Sequence, residues 1–228
     1  MLADWTIEAA GPQAVIIRFG SNIDAQLTPL IRAAHDRLAS QLNEAIQDLI
    51  PSYTTLMVVY DILHYDFAGI SRAINNTLQN LESRAAENKL IEIPVFYDSS
   101  VGFDLQRVAD YHGIGISEVI ERHSQAVYQV FAIVFSPGFA YMGNVADNLA
   151  TPRLDSPRLQ VPAGSVAIAD QQTAVYPIDT PGGWNIIGRT FINMLDRDLP
   201  ALCPVQVGDK VRFIPISRAD FLANGGKL

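Results

Sequence analysis

The chain has 228 residues, 49% of them apolar and 18% charged, with a formal net charge of −8. That is enough to bury one generous core or two modest ones, and it excludes a disordered chain. The acidic balance excludes an electrostatic footprint for nucleic acid and any basic hold on an anionic membrane.

The first stretch reads as strands, alternating over residues 5–9 and apolar over 14–19, with Gly11-Pro12 between them. Thr28-Pro29 then opens a predicted helix, Thr28 as N-cap and Pro29 at the first helical position. Leu30, Ala33, Ala34, Leu38, Leu42, Ala45, Ile46 and Leu49 carry it to about residue 48, and Pro51 ends it. Residues 52–60 form the next predicted strand, and 67–86 a second helix through Ile70, Ile74, Leu78 and Leu81. Two helices on one face of a small, mainly antiparallel sheet would bury this pattern. The polar stretch 82–89 reads as a linker, so the expected division is an N-terminal α+β domain over 1–88 and a second domain over 89–228.

In the second half, 91–97 is a strand, Asp104 caps a short helix stopped by Gly113, and Ser117 caps another over 118–123. From residue 127 helical periodicity disappears. Short apolar runs at 127–135, 160–162, 165–169, 173–176, 184–187 and 210–214 alternate with Pro and Gly, which suggests a β-barrel or sandwich. Cys203 is the single cysteine, and Met1 to Trp5 carries no basic signal region. An internal disulfide or a zinc site is therefore not expected, and a reducing cytoplasm is. The longest apolar runs fall far short of a membrane span.

No phosphate loop, nucleophile elbow or metal-binding helix motif is present. The histidines His35, His64, His112 and His123 are scattered, and polar helix ends explain the last two as well as a site would. Chemistry concentrates between Phe135 and Arg189. Pro137-Gly138 fits a type II turn that would present Phe139 and Tyr141 together, although core packing of the two rings accounts for them too. Thr151-Pro152-Arg153 and Ser156-Pro157-Arg158 place two arginines after prolines, suited to gripping a carboxylate or phosphate, or to a solvated loop neutralised by Asp155. Ala163-Gly164 permits close approach, and Ser165, Gln172 and Thr173 offer uncharged hydrogen-bonding groups, which ordinary tight turns would also contain. Gly182-Gly183 precedes a strand and so lacks the helix amides of a phosphate loop. Arg189 is either a third anion contact or one half of a salt bridge to Asp179 or Asp196.

These same segments carry a family signature: Ser136-Pro137-Gly138-Phe139, Thr151-Pro152-Arg153, Pro157-Arg158, Val161-Pro162-Ala163-Gly164-Ser165, Gln172-Thr173, Pro181-Gly182-Gly183-Trp184 and Ile187-Gly188-Arg189-Thr190. From about Ile91 to Phe221 the chain resembles the family of KipI, allophanate hydrolase subunit 1 and the B subunit of 5-oxoprolinase, the carboxyltransferase subdomain C and D type. The resemblance implies a small N-terminal α/β sandwich domain followed by a cyclophilin-like β-barrel. It implies A-type and C-type partner subunits and, with them, ATP-dependent hydrolysis of 5-oxo-L-proline to L-glutamate. ATP would be used by the complex, with no cofactor assigned to this chain and the isolated chain inactive. Allophanate or urea-linked chemistry and KipI-like inhibition of a sensor histidine kinase are the family's other roles.

A small anion with a lactam needs a fixed cation and neutral hydrogen-bonding groups. Arg153, Arg158 and Arg189 answer the first need, Ser165, Gln172, Thr173 and Tyr141 the second, and Phe139 and Trp184 would exclude water. The pocket is expected at the junction with a partner subunit. The chain departs from the family pattern at Ala140, at Asn144 and at Asp170-Gln171, the last pair adding charge and bulk beside the expected pocket.

Overall fold

The computed structural model describes residues 5–24, 26–82, 89–196, 198 and 202–228. Its contacts fall into two compact units, Met1–Asn88 and Lys89–Leu228.

In the first unit, β1 (Thr6–Gly11), β2 (Ala14–Arg18), β3 (Ile46–Ser52) and β4 (Thr55–Tyr60) form an antiparallel sheet in the order β1-β2-β4-β3. Val15 and Ile17 on β2 stand opposite Val58 and Leu56 on β4, so all four share one face. Onto that face pack Ile31, Ala34 and Leu38 of α1 (Leu27–Gln41) and Ile70 and Ile74 of α2 (Phe67–Thr77). The Asp66 carboxylate caps α2 by accepting the Gly69 N–H at 2.6 Å.

The first helix is shorter than its periodicity predicts. It ends at Gln41, and Ala45, Ile46 and Leu49, which fit helical spacing, instead lead into and occupy β3. As a strand this segment pairs with β4 and satisfies its backbone in a ladder. Pro51 does not terminate a helix. It lies on β3, an edge strand, where a missing N–H costs no ladder bond to a second neighbour. Thr28 is not the N-cap, because the helix begins two residues earlier than expected, at Leu27 after Gln26, and leaves Thr28 buried. The second helix stops at Thr77, well before residue 86, and residues 83–88 of the expected linker lie outside the described residues.

In the second unit, β5 (Leu90–Val95), β6 (Tyr128–Ile133), β7 (Ala140–Gly143), β9 (Ser165–Ala169), β10 (Gln172–Val175), β12 (Asn185–Arg189) and β13 (Lys210–Pro215) make a seven-stranded sheet ordered β12-β9-β10-β7-β6-β13-β5. Only the β13–β5 pair is parallel. Just past β5, Phe96 and Arg189 exchange backbone hydrogen bonds of 2.8 and 2.9 Å, so the two end strands meet and the sheet is nearly closed like a barrel. A separate ribbon pairs β8 (Arg158–Val161) with β11 (Thr180–Gly182).

Helices α3 (Leu105–His112) and α4 (Ile116–Gln125) bury Leu105, Val108 and Val119 in the same core as Val166, Ile168 and Phe213 of the sheet, while α5 (Arg218–Ala223) buries Phe221 beside Phe96. Gly113 ends α3 in the left-handed conformation with φ 65°. Neither expected N-cap side chain performs that role. Ser117 lies inside α4, which starts after Gly115, and the Asp104 carboxylate is turned away to other partners described below.

Candidate anion-binding face

The two-residue period of β9 and β10 sorts their side chains onto opposite faces. Val166, Ile168 and Val175 point into the large core with α3 and α4. Ala167, Ala169 and Ala174 point the other way, into a cluster with Phe139, Tyr176, Trp184 and Ile186. Directly opposed residues of an antiparallel pair share a face, and Gln172 opposes Ala169 while Arg189 opposes Ser165. Ser165, Gln172 and Arg189 therefore line the alanine face.

The small alanine side chains leave room for rings. Phe139 meets Tyr176 and Trp184 edge-on at 5.2 and 5.6 Å, and Tyr141 lies 4.9 Å from Phe139 and 5.7 Å from Trp184. The turn before β7 sets this geometry: the Phe139 N–H donates to Ser136 O at 3.0 Å, and Gly138 takes φ 82°, as a type II turn requires. Phe139 and Trp184 are buried, and Tyr141 is partly exposed. Both buried rings are thus core as well as wall.

The arginines enter from the covering segments and from β12. Arg153 is exposed and holds its guanidinium 5.7 Å above the Trp184 ring. Arg158, on the β8 ribbon, donates from Nη2 to Asp104 Oδ1 at 2.7 Å. Arg189 is buried and donates from Nη1 to the Lys227 carbonyl at 3.0 Å. It forms an ion pair with neither Asp179 nor Asp196 among the described residues. Burial draws its guanidinium below the usual value, and the charge of Asp179 pulls the other way. Burial pushes the Tyr176 hydroxyl up to about 12, against the charges of Arg153 and Arg158, which act to lower it.

Buried polar atoms of three of these residues lack protein partners. Arg158 Nη1, Arg189 Nε and Ser165 Oγ have no hydrogen bond among the described residues. Native structures rarely leave such groups unpaired, which makes these N–H and O–H groups candidates for contact with an anionic, hydrogen-bonding ligand.

Thr173 belongs elsewhere. It opposes Ile168, faces the large core, donates to Ala167 O at 3.0 Å and lies 2.9 Å from His123 Nε2. The Tyr97 hydroxyl stands 2.7 Å from His123 Nδ1. One hydroxyl proton on each partner fixes the network: Tyr97 donates to Nδ1, and Nε2–H donates to Thr173. His123 is neutral, fully buried and stacked 4.6 Å from Phe213, and burial lowers its pKa to about 3. It is a core group, not a cationic helix end.

Asp170 and Gln171 occupy the exposed turn between β9 and β10, where Asp170 takes φ 50° and Gln171 donates to Asp147 at 2.7 Å. The departure from the family pattern puts its charge at the surface. Asn185 carries no signal in the sequence. Its buried amide donates to Pro152 O and Ile168 O at 3.0 Å each and accepts from Arg107, so it ties the segment bearing Arg153 to the sheet. Among the described residues no group of three or more His, Cys, Asp or Glu is placed to hold a metal ion, and no helix is long and apolar enough to cross a membrane.

The class of protein is shown by comparison with known families. The chain belongs to the family of the carboxyltransferase domain, subdomain C and D, which it matches over residues 5–205. It is 36% identical over 236 residues to the 5-oxoprolinase B subunit of Bacillus subtilis, covering 98% of both chains, and 47% identical over 136 residues to the 5-oxoprolinase B subunit of Escherichia coli O157:H7, covering 59% of this chain and 62% of that one. Among solved structures, TTHA0988 superposes with a TM-score of 0.80 at 31% identity, over 90% of this chain and 40% of that one. Kluyveromyces lactis urea carboxylase superposes with a TM-score of 0.76 over 96% of this chain and 22% of that one, and at 14% identity this shows a shared fold alone.

Proposed function

We propose that the chain is the B-type subunit of an ATP-dependent 5-oxoprolinase, acting with A-type and C-type subunits on 5-oxo-L-proline. Similarity to a 5-oxoprolinase B subunit along 98% of both chains carries this reading. On it, residues 1–88 form an α/β sandwich domain and 89–228 a cyclophilin-like barrel domain. The single cysteine, buried and unpaired, suits a cytoplasmic setting.

The alanine face supports the substrate assignment. The free N–H groups of Arg158 and Arg189 suit a carboxylate, with Arg153 adding charge from above Trp184. Ser165, Gln172 and Tyr141 suit the lactam, and Phe139 and Trp184 form an apolar wall that keeps water away. Among the described residues no phosphate loop accompanies them, so ATP chemistry is assigned to the A-type partner and the isolated chain is expected to be inactive. ADP release on addition of 5-oxoproline is expected only when all three subunit types are combined. Full turnover without this chain, or turnover by this chain alone, would contradict the proposal.

A further inference from the structure

We infer that the segment Gly102-Phe103-Asp104 positions the arginine pair, with Asp104 as the residue that holds Arg158 in its binding orientation. This rests on the reading of the alanine face as a carboxylate site. It adds residues that lie well before the arginine motifs and outside them.

The Asp104 carboxylate is 6% exposed and spans two partners. Oδ1 accepts from Arg158 Nη2 at 2.7 Å, and Oδ2 accepts from the Ile186 N–H at 2.7 Å. The Asp104 N–H returns a bond to Ile186 O at 2.8 Å, so the residue is clamped to β12 through both its side chain and its backbone. An aspartate at a helix start would ordinarily cap that helix, and this one does not. Its charge is committed to Arg158. A guanidinium fixed along one edge presents the other in a fixed direction, and Nη1 is the buried nitrogen left without a partner.

Phe103 supplies the second constraint. Its ring lies 5.8 Å from the Arg158 guanidinium and 6.0 Å from that of Arg189, so one aromatic stands against both cations. Two like charges gathered at one site repel, and the ring with the Asp104 carboxylate offsets that repulsion. Gly102 allows the segment to dock, because a Cβ there would lie 2.5 Å from the Ile187 carbonyl oxygen. Closeness to β12 therefore fixes the arginines through Asp104 and Phe103 together.

Asp104→Asn tests this in the reconstituted three-subunit complex. Asparagine keeps an acceptor for the Ile186 N–H and removes the charge that anchors Arg158. The expected result, in a complex that still folds and assembles, is a substrate KM raised about tenfold with kcat little changed, and no further rise when Asp104→Asn is added to Arg158→Ala. Phe103→Leu, on a half-exposed side chain, provides a second variant with a smaller KM rise in the same direction. If Arg158→Ala raises KM while Asp104→Asn and Phe103→Leu leave it unchanged, the positioning inference falls and the site stands. Additive effects of Asp104→Asn and Arg158→Ala would also overturn it, since Asp104 would then act through another group. An unimpaired Arg158→Ala complex would remove the site itself and the inference with it.

Discussion

Acidification from pH 7 toward pH 4 is expected to destabilise the second unit steeply, beginning well above the range where carboxylates titrate. His123 is the cause. Its folded pKa is about 3 because the imidazole is buried without a counter-charge. Once unfolded it returns to the ordinary value near 6.5, so below that pH the unfolded chain binds a proton that the native chain refuses. Stability is fully present above about pH 6.5, falls as pH drops, and levels off near the folded pKa. The slope is about 1.4 kcal/mol per pH unit, and the whole span is on the order of 4–5 kcal/mol. Relief is not available locally, because Tyr97 and Thr173 already occupy both ring nitrogens and Thr173 donates its own proton to Ala167 O. Denaturant unfolding at a series of pH values checks this. His123→Gln should be less stable at neutral pH and lose the slope between pH 6.5 and 5; an unchanged slope in that variant would reject the assignment.

Gly138→Ala is expected to cost roughly 3 kcal/mol or more, or to prevent folding of the second unit. Two independent penalties combine there. The residue holds φ 82°, where a side chain is strained, and a Cβ would sit 2.3 Å from the Met194 carbonyl oxygen, which is backbone and cannot swing aside. Gly113 provides the control: it holds φ 65° with nothing within 4 Å of a Cβ. Gly113→Ala should therefore cost only the conformational penalty, about 1 kcal/mol. The difference between the two costs measures the collision. Since Gly138 sets the turn that delivers Phe139 to the aromatic cluster, a folded Gly138→Ala chain should also show altered near-ultraviolet circular dichroism. Equal costs at both glycines would refute the collision.

Most strands of the second unit are legible in the sequence because their signals are local, apolar runs of strand length bounded by Pro and Gly, whereas β7 and β11 fall outside those runs and are set by pairing with β6 and β10 and with β8. The end of the first helix is not legible either. Ala45, Ile46 and Leu49 satisfy helical spacing as well as they satisfy an edge strand, and only pairing with β4, a tertiary fact, decides between them. The same limit governs the face. Ser165, Gln172 and Arg189 are assigned to one surface only through register, and Thr173 falls on the opposite side from its neighbour Gln172 only because the segment is a strand paired in that phase. Asp104 carries a helix-cap signal, and its role depends on Arg158 and Ile186 arriving from distant parts of the chain. Asn185 and the core role of His123 give no signal at all, since buried polar residues of this kind are defined by the partners that surround them.

The central claim is that the arginine-lined alanine face binds the carboxylate of 5-oxoproline. It is tested most directly by ADP release at varied 5-oxoproline concentration in complexes carrying Arg158→Ala or Arg189→Ala. Each variant is expected to raise KM at least about tenfold, because each removes a charge-assisted contact to the carboxylate. Normal turnover with unchanged KM in both, from subunits shown to be folded and associated, would contradict the account.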